Sequence, residues 1–237
     1  MAVGRSETLT GNSRFDHFWQ QQGEWVEEPN QRRGGESGVQ RLNDESGQLL
    51  YSKRQIGHIY RSFLHPFGRP TVLREYDAIN SFEQLGVRVP HIVYCGVERD
   101  ADHQWRALLV SKALDGFEDS DSWYEKGARE RYGDALHDSM LQDLATNLAR
   151  MHRGHWQHGC LYGKHVFIKV IGEGDQARAE VALLDLEKCR RRISCHRAAA
   201  NDLKQLRRHS SFNDAEWRKL LYFYKVAFGS AVKGLEQ

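Results

Sequence analysis

Two stretches decide how this sequence folds, "HGCLYGKHVFIK" (His158–Lys169) and "LLDLEK" (Leu183–Lys188). The first packs a cysteine, two histidines and a lysine into eight residues ahead of a strand-like tail. The second ends an apolar run on a carboxylate. Asp185 falls 27 residues after His158, and "HVFIKVI" and "AEVALLDLE" read as a hairpin across "GEGDQAR". A carboxylate at a strand end can hold a Mg2+ ion that bridges nucleotide phosphates. A turn aspartate that merely ends a strand looks the same. The first stretch has three readings: a zinc site from His158, Cys160, His165 and Cys189 or Cys195, a Cys160–His nucleophile pair, or a catalytic loop whose usual acid is replaced. The zinc reading lacks a tight ligand pair. The nucleophile needs an orienting group and an oxyanion hole that spacing does not reveal. His158 reads as structural, holding the loop by a backbone hydrogen bond.

The flanking segments supply the frame. The first dozen residues look like a loose arm. From Glu24 to about Gln55 the signals are strand and turn: "EWVEE", "NQRRGGESG", "VQRL", the turn "NDESGQ" and "LLYSKRQ". Pro70 to about Leu85 reads as a helix, with Pro70 in its first turn, Gly86 at its end and Pro90 just beyond. "HIVYCGVE" and "WRALLVSKAL" form another hairpin, its loop carrying Asp100 and Asp102. After the polar connection "LDGFEDSDSW", a long helix runs to about His152, with Leu141, Leu144, Leu148 and Met151 at helical spacing. The rest is helical. Strands dominate the first half and helices the second, which predicts an α+β fold with two unequal lobes. A small β-rich N-lobe is expected over 1–112 and a mainly helical C-lobe over 113–237, with the boundary near Ser111–Gly116.

Within that frame Lys53, in "LLYSKRQ", shares a strand face with Leu49 and Tyr51. Among apolar neighbours its ammonium needs solvent or a carboxylate. Glu75 shares a helical stripe with Ile79 and Phe82 and so points inward. A strand lysine followed by an inward helical glutamate is the ion pair of protein-kinase-like enzymes. "RRGGESGV" (Arg32–Val39), with Gly34, Gly35 and Gly38, lies upstream between two strands. Its glycines let backbone amides approach phosphates, and an ordinary Gly-rich hairpin would read alike.

Composition narrows the classes. The chain has 237 residues, 40% hydrophobic and 28% charged, with a net charge of +2. That length can bury a substantial core. No apolar run is long enough for a transmembrane segment, the N-terminus lacks a secretory apolar region, and no nucleic-acid partner is expected. Four cysteines without a CxxC pair suggest no disulfide framework, and a reducing cytoplasm is the natural setting. Between Lys188 and Arg208 stand eight Lys/Arg against one acid, Asp202. Such a block can face phosphates or anionic inner-membrane lipid, or be a solvated helical face.

The ordered set is a Gly-rich turn, Lys53, Glu75, hinge-like "LLVSKAL", a helix ending at "MH", "HGCLYGKH", a hairpin and Asp185. It resembles the lipopolysaccharide core kinase (Kdo/heptose kinase) family, sugar kinases with a bilobal protein-kinase-like fold, and within it the InaA-type subgroup. The resemblance spans about Trp25 to Leu206 and is carried also by "NQRRGGESGVQRL", "HPFGRPTVLREY", "LGVRVP" and "WQHGCLYGKHVF". It implies ATP-dependent phosphorylation of a sugar hydroxyl of the lipopolysaccharide core, of heptose or Kdo type, at the cytoplasmic face of the inner membrane. ATP and Mg2+ are the implied cofactors, and a core sugar or another anionic glycolipid the implied partner. Gly34, Gly35, Gly38, Lys53 and Glu75 would bind nucleotide, and His165 and Asp185 the metal. Kinase-like loops carry an aspartate base and, five residues on, an asparagine. Here those positions are Cys160 and His165. The heptose kinases share the histidine but keep the aspartate, so Cys160 departs from the pattern. Glu187 is a substitute base or metal ligand, and Lys164, four residues after Cys160, can reach a γ-phosphate. Either a slow kinase or a nucleotide-binding pseudokinase with a regulatory or scaffolding role follows.

Overall fold

The computed structural model describes residues 11–32, 34–63 and 65–235. Most of the expected N-terminal arm lies outside the described residues. The chain divides into two compact units, residues 1–73 with 92–113, and residues 74–91 with 114–237.

In the first unit, strands β1 (Glu24–Arg32), β2 (Gly35–Asn43) and β3 (Leu49–Ile56) follow the expected strand-and-turn signals. They join β6 (Ile92–Arg99) and β7 (Trp105–Lys112) in an antiparallel sheet of order β1-β2-β3-β7-β6. Strand alternation gives the sheet two faces. Leu42, Leu50, Leu108 and Val110 pack on one face with Phe15, Phe18 and partly buried Trp19. Those aromatics come from α1 (Gly11–Gln20), a helix that the sequence reading did not anticipate, although Phe15, Phe18 and Trp19 have i, i+3, i+4 spacing. Burying each Phe stabilises the unit by about 2–3 kcal/mol. The Arg54 guanidinium donates to the carbonyls of Phe18 (3.2 Å) and Gln21, using two acceptors at the end of α1. Lys53 lies on the opposite face, between Val39 of β2 and Leu109 of β7.

A further hairpin, β4 (Ile59–Ser62) and β5 (His65–Pro70), separates β3 from the helix α2 (Thr71–Gln84). Pro70 closes β5 rather than occupying the first helical turn, so it stands just before the helix. The start of α2 is fixed to β3 by Gln55, whose Oε1 accepts from the Val72 amide (3.1 Å) and the Thr71 hydroxyl (2.8 Å). That satisfies a first-turn amide with no intrahelical partner. Gly86, at φ +70°, ends the turn after the helix.

All but the first turn of α2 belongs to the second unit, whereas the sequence reading gave the whole helix to the first lobe. The segment read as a polar connection ends in β8 (Glu118–Asp119) and α3 (Ser120–Glu125). Asp119 caps α3 by accepting from the Ser122 amide at 3.0 Å. The long helix α4 (Ala128–Arg153) buries Leu141, Leu144, Leu148 and Met151 completely and breaks its regular dihedrals at Gly133 (φ 71°). After β9 (Trp156–Gln157) come the hairpin strands β10 (Val166–Ile171) and β11 (Arg178–Leu183), then β12 (Arg190–Arg191) paired with β9. Helices α5 (Cys195–Arg208) and α6 (Asp214–Phe228) complete the unit. Among the described residues, no helix is long and apolar enough to cross a membrane.

Candidate active site

The loop from His158 to His165 is held by a nearly complete set of backbone hydrogen bonds. The amides of His158 and Gly159 donate to the two carboxylate oxygens of Asp202 at 2.7 and 2.9 Å. Cys160 N–H donates to His158 Nδ1 (3.3 Å), and Leu161 N–H to Gln205 Oε1 (2.9 Å). Gly163 N–H donates to the His209 carbonyl (2.7 Å), and His165 N–H to Tyr162 (3.0 Å). Buried amides left unpaired cost as much as a lost hydrogen bond, so these partners fix the loop's path.

Asp202 was the residue that sequence reasoning missed. It counted there only as the lone acid of a basic block. In α5 it is fully buried and also takes a bond from His152 Nε2 at 3.2 Å. His152 in turn meets the Tyr224 hydroxyl at 2.9 Å. Burial pushes the Asp202 carboxyl up, but the His152 bond and the Gly159 amide outweigh it and hold the group below its ordinary value. A single acid inside a run of arginines was the available signal, since a buried carboxylate needs several donors.

His158 is structural, as expected. Its Nε2–H donates to the Leu184 carbonyl at 3.0 Å, so Nδ1 is the acceptor for Cys160. Burial lowers its pKa and keeps the ring neutral. Both ring nitrogens are therefore engaged, and His158 is no metal ligand. Among the described residues neither Cys189 nor Cys195 joins a group of ligand atoms close enough to share an ion.

The structure instead brings together Cys160, His165 and Asp185, whose ligand atoms all lie within 4.8 Å of one another. His165 Nδ1 donates to the Cys160 carbonyl at 2.6 Å, which turns Nε2 toward Asp185 Oδ2, 3.5 Å away. A neutral ring in that tautomer offers a lone pair beside a carboxylate. Asp185 sits at φ +58°, a left-handed conformation rare for a side-chain-bearing residue and concentrated at functional sites. The Cys160 sulfur is buried and receives the Lys188 ammonium at 3.6 Å. Among the described residues no histidine ring nitrogen hydrogen-bonds the sulfur, and His165 Nδ1 serves the carbonyl instead, so the nucleophile-pair reading gains no support.

The remaining candidates fall in both units. Lys53 is half-buried in the first unit, and Glu75 half-buried in the second on the stripe of buried Ile79 and Phe82. Lys164 is exposed on the turn before β10. Glu187 follows Asp185 in the next short turn, its carbonyl accepting from Arg74 at 2.6 Å. Gly34 has φ +73°. A Cβ on Gly35 would meet the Gly57 and His58 backbone at 2.5 Å, and one on Gly38 the Trp25 ring at 2.8 Å. Close packing within the unit thus accounts for both glycines. In the basic block Lys188, Arg190, Arg191, Arg197, Lys204 and Arg208 are exposed, while Arg192 donates to Gln157 at 2.6 Å.

An antiparallel sheet with a strand lysine, and a helical unit with an anchored loop and a strand-end carboxylate, are the parts of a protein-kinase-like phosphotransferase. The fold is similar to that of a solved structure, WaaP in complex with acyl carrier protein, with a TM-score of 0.66 and 20% identity over 89% of this chain and 81% of that one. In sequence the chain is 40% identical over 211 residues to Protein InaA of Escherichia coli (strain K12), covering 89% of this chain and 94% of that protein. Residues 16–224 match the lipopolysaccharide kinase (Kdo/WaaP) family, and the chain belongs to that family.

Proposed function

We propose that this chain is an ATP-dependent kinase acting on a sugar hydroxyl of the lipopolysaccharide core, of heptose or Kdo type. The observation that carries the reading is the His165–Asp185 pair, 3.5 Å apart, with the histidine's other nitrogen committed to the loop. His165 and Asp185 would hold a divalent ion. When bound, Mg2+ neutralises charge on the transferring phosphates of ATP. Lys53 and Glu75 would orient the α- and β-phosphates, the turn at Gly34 with Gly35 and Gly38 of β2 would offer backbone amides to phosphate, and exposed Lys164 would reach the γ-phosphate. Cys160 stands where a carboxylate base is expected. General-base help is worth typically ~10²–10⁴-fold, so its loss slows a loose phosphoryl transfer without abolishing it. Glu187 is the substitute base we favour. The exposed arginines of β12 would attract an anionic glycolipid or the anionic face of the inner membrane, which suits a peripheral, cytoplasmic-side enzyme.

A second reading, a nucleotide-binding pseudokinase, is favoured by the burial of Cys160, 3% exposed and engaged by Lys188. Both readings require nucleotide. ATP with Mg2+ should raise the melting temperature, and Lys53→Met and Asp185→Asn should each abolish that shift while leaving the protein folded. An unchanged shift in both variants rejects the nucleotide site. Phosphate transfer to core lipopolysaccharide then separates kinase from pseudokinase.

A further inference from the structure

The three side chains that meet at the loop offer sulfur, nitrogen and oxygen, an unusual donor set for Mg2+. Mg2+ favours near-octahedral oxygen ligands and does not seek thiolates, whereas Zn2+ and Co2+ accept mixed N, S and O sets. We propose that Cys160, His165 and Asp185 together bind a borderline transition-metal ion of the Zn2+ type in preference to Mg2+, with the Cys160 sulfur as a direct ligand. The inference shares the metal position of the proposed kinase reading but needs no nucleotide.

Several features point the same way. The ligand atoms lie within 4.8 Å of one another, a spacing at which all three can face one ion. The Nε2–Oδ2 separation of 3.5 Å is already near that of two ligands on one tetrahedral ion, roughly 3.3–3.4 Å for bonds of ~2.0–2.1 Å. The bond from Nδ1 to the Cys160 carbonyl is the kind of outer contact that orients a metal-binding imidazole. It also ties the histidine to the residue that supplies the sulfur. Lys188, donating to the sulfur at 3.6 Å, would balance the charge of a metal-bound thiolate without being a ligand. Forming the metal–sulfur bond releases the thiol proton to solvent, so binding should weaken as pH falls. Three protein ligands leave a tetrahedral ion one open position, where a phosphate oxygen or water fits.

The test is a Co2+ titration of the reduced, chelator-treated full chain, with absorbance and melting temperature both recorded. We expect one Co2+ per chain with a near-ultraviolet thiolate-to-cobalt charge-transfer band. Zn2+ should erase the band stoichiometrically, and a large excess of Mg2+ should not. Cys160→Ser and Cys160→Ala should lose the band and weaken Zn2+ binding by at least about tenfold, while Cys95→Ser and Cys195→Ser keep both. Asp185→Asn, which retains the sulfur and tolerates left-handed backbone, should keep a weakened band. A missing band in the folded wild-type chain overturns the proposal, and so does a band that persists in Cys160→Ala. Either failure leaves the ATP-dependent melting shift to decide the kinase reading separately.

Discussion

At the scale of single residues the site turns on Cys160. Its amide and carbonyl are both committed, to His158 and His165, while the proposed kinase reading puts its side chain in the place of a base. Replacing it with aspartate restores a proton acceptor without moving the backbone that holds the loop. Turnover on a core-sugar acceptor should then rise by up to ~10²-fold, with ATP affinity little changed. Cys160→Ser should keep nucleotide binding and whatever turnover the wild type has. A Cys160→Ser variant that binds ATP but is inert would show the sulfur to be essential to the chemistry. Asp202 acts through the loop rather than on substrate, because its oxygens are spent on two amides and His152.

At the scale of elements, the short strand β12 explains why the basic block is only partly available. Arg192 is engaged by Gln157, and Arg207 by Asp214 and the Phe212 carbonyl. Arg190 and Arg191 are exposed on β12, next to fully exposed Ile193. Such a strip suits a surface of anionic headgroups, where each arginine contributes about 1 kcal/mol. Replacing Arg190, Arg191 and Arg192 with glutamine should remove most binding to anionic vesicles, and raising salt should do the same to the wild type. ATP affinity should stay unchanged. Equal vesicle binding by the triple variant would mark the block as a solvated face. The element that positions Glu75 is α2, and Gln55, two residues beyond Lys53 on β3, pins its start.

At the scale of the whole molecule, buried titrating groups set the response to acid. Burial lowers the pKa of His137 and of His158, so below their ordinary value of 6.5 the unfolded chain takes protons that the folded chain refuses. Their contribution is therefore complete above that pH and is lost as pH falls toward the lowered folded values. Burial opposes ionisation of Asp202 and Glu216, yet hydrogen bonds from His152 and Arg129 win and hold both carboxyls low. Their stabilisation persists above 3.8 and 4.5 respectively and disappears as pH drops through the folded values. The urea midpoint should fall from pH 7 to pH 5, as the unfolding free energy drops by up to about 1.4 kcal/mol per pH unit for each excess proton bound by the unfolded chain. A flat midpoint over that range would contradict neutral, buried histidines. His158→Gln should flatten part of the slope.

The order of elements was legible in the sequence because alternation, helical spacing and turn residues are local. β1 to β3, both hairpins around Asp100 and Gly174, and the helical stripe through Leu148 all follow from neighbours in the chain. The loop from His158 and the strand-end carboxylate Asp185 were also legible as candidates, and the structure brings Cys160, His165 and Asp185 near one another. Contacts between distant residues were not legible. Nothing local says that Asp202 reaches back 44 residues to the His158 amide, or that the Lys188 ammonium stops at the Cys160 sulfur. α1 was missed because its helical pattern is short, and the sheet face that it covers is assembled from strands up to 95 residues away. The sequence by itself determined which chemistry-bearing residues exist and in what order. Tertiary packing decided which of them meet, because a buried polar atom takes whatever partner the fold presents, regardless of separation along the chain.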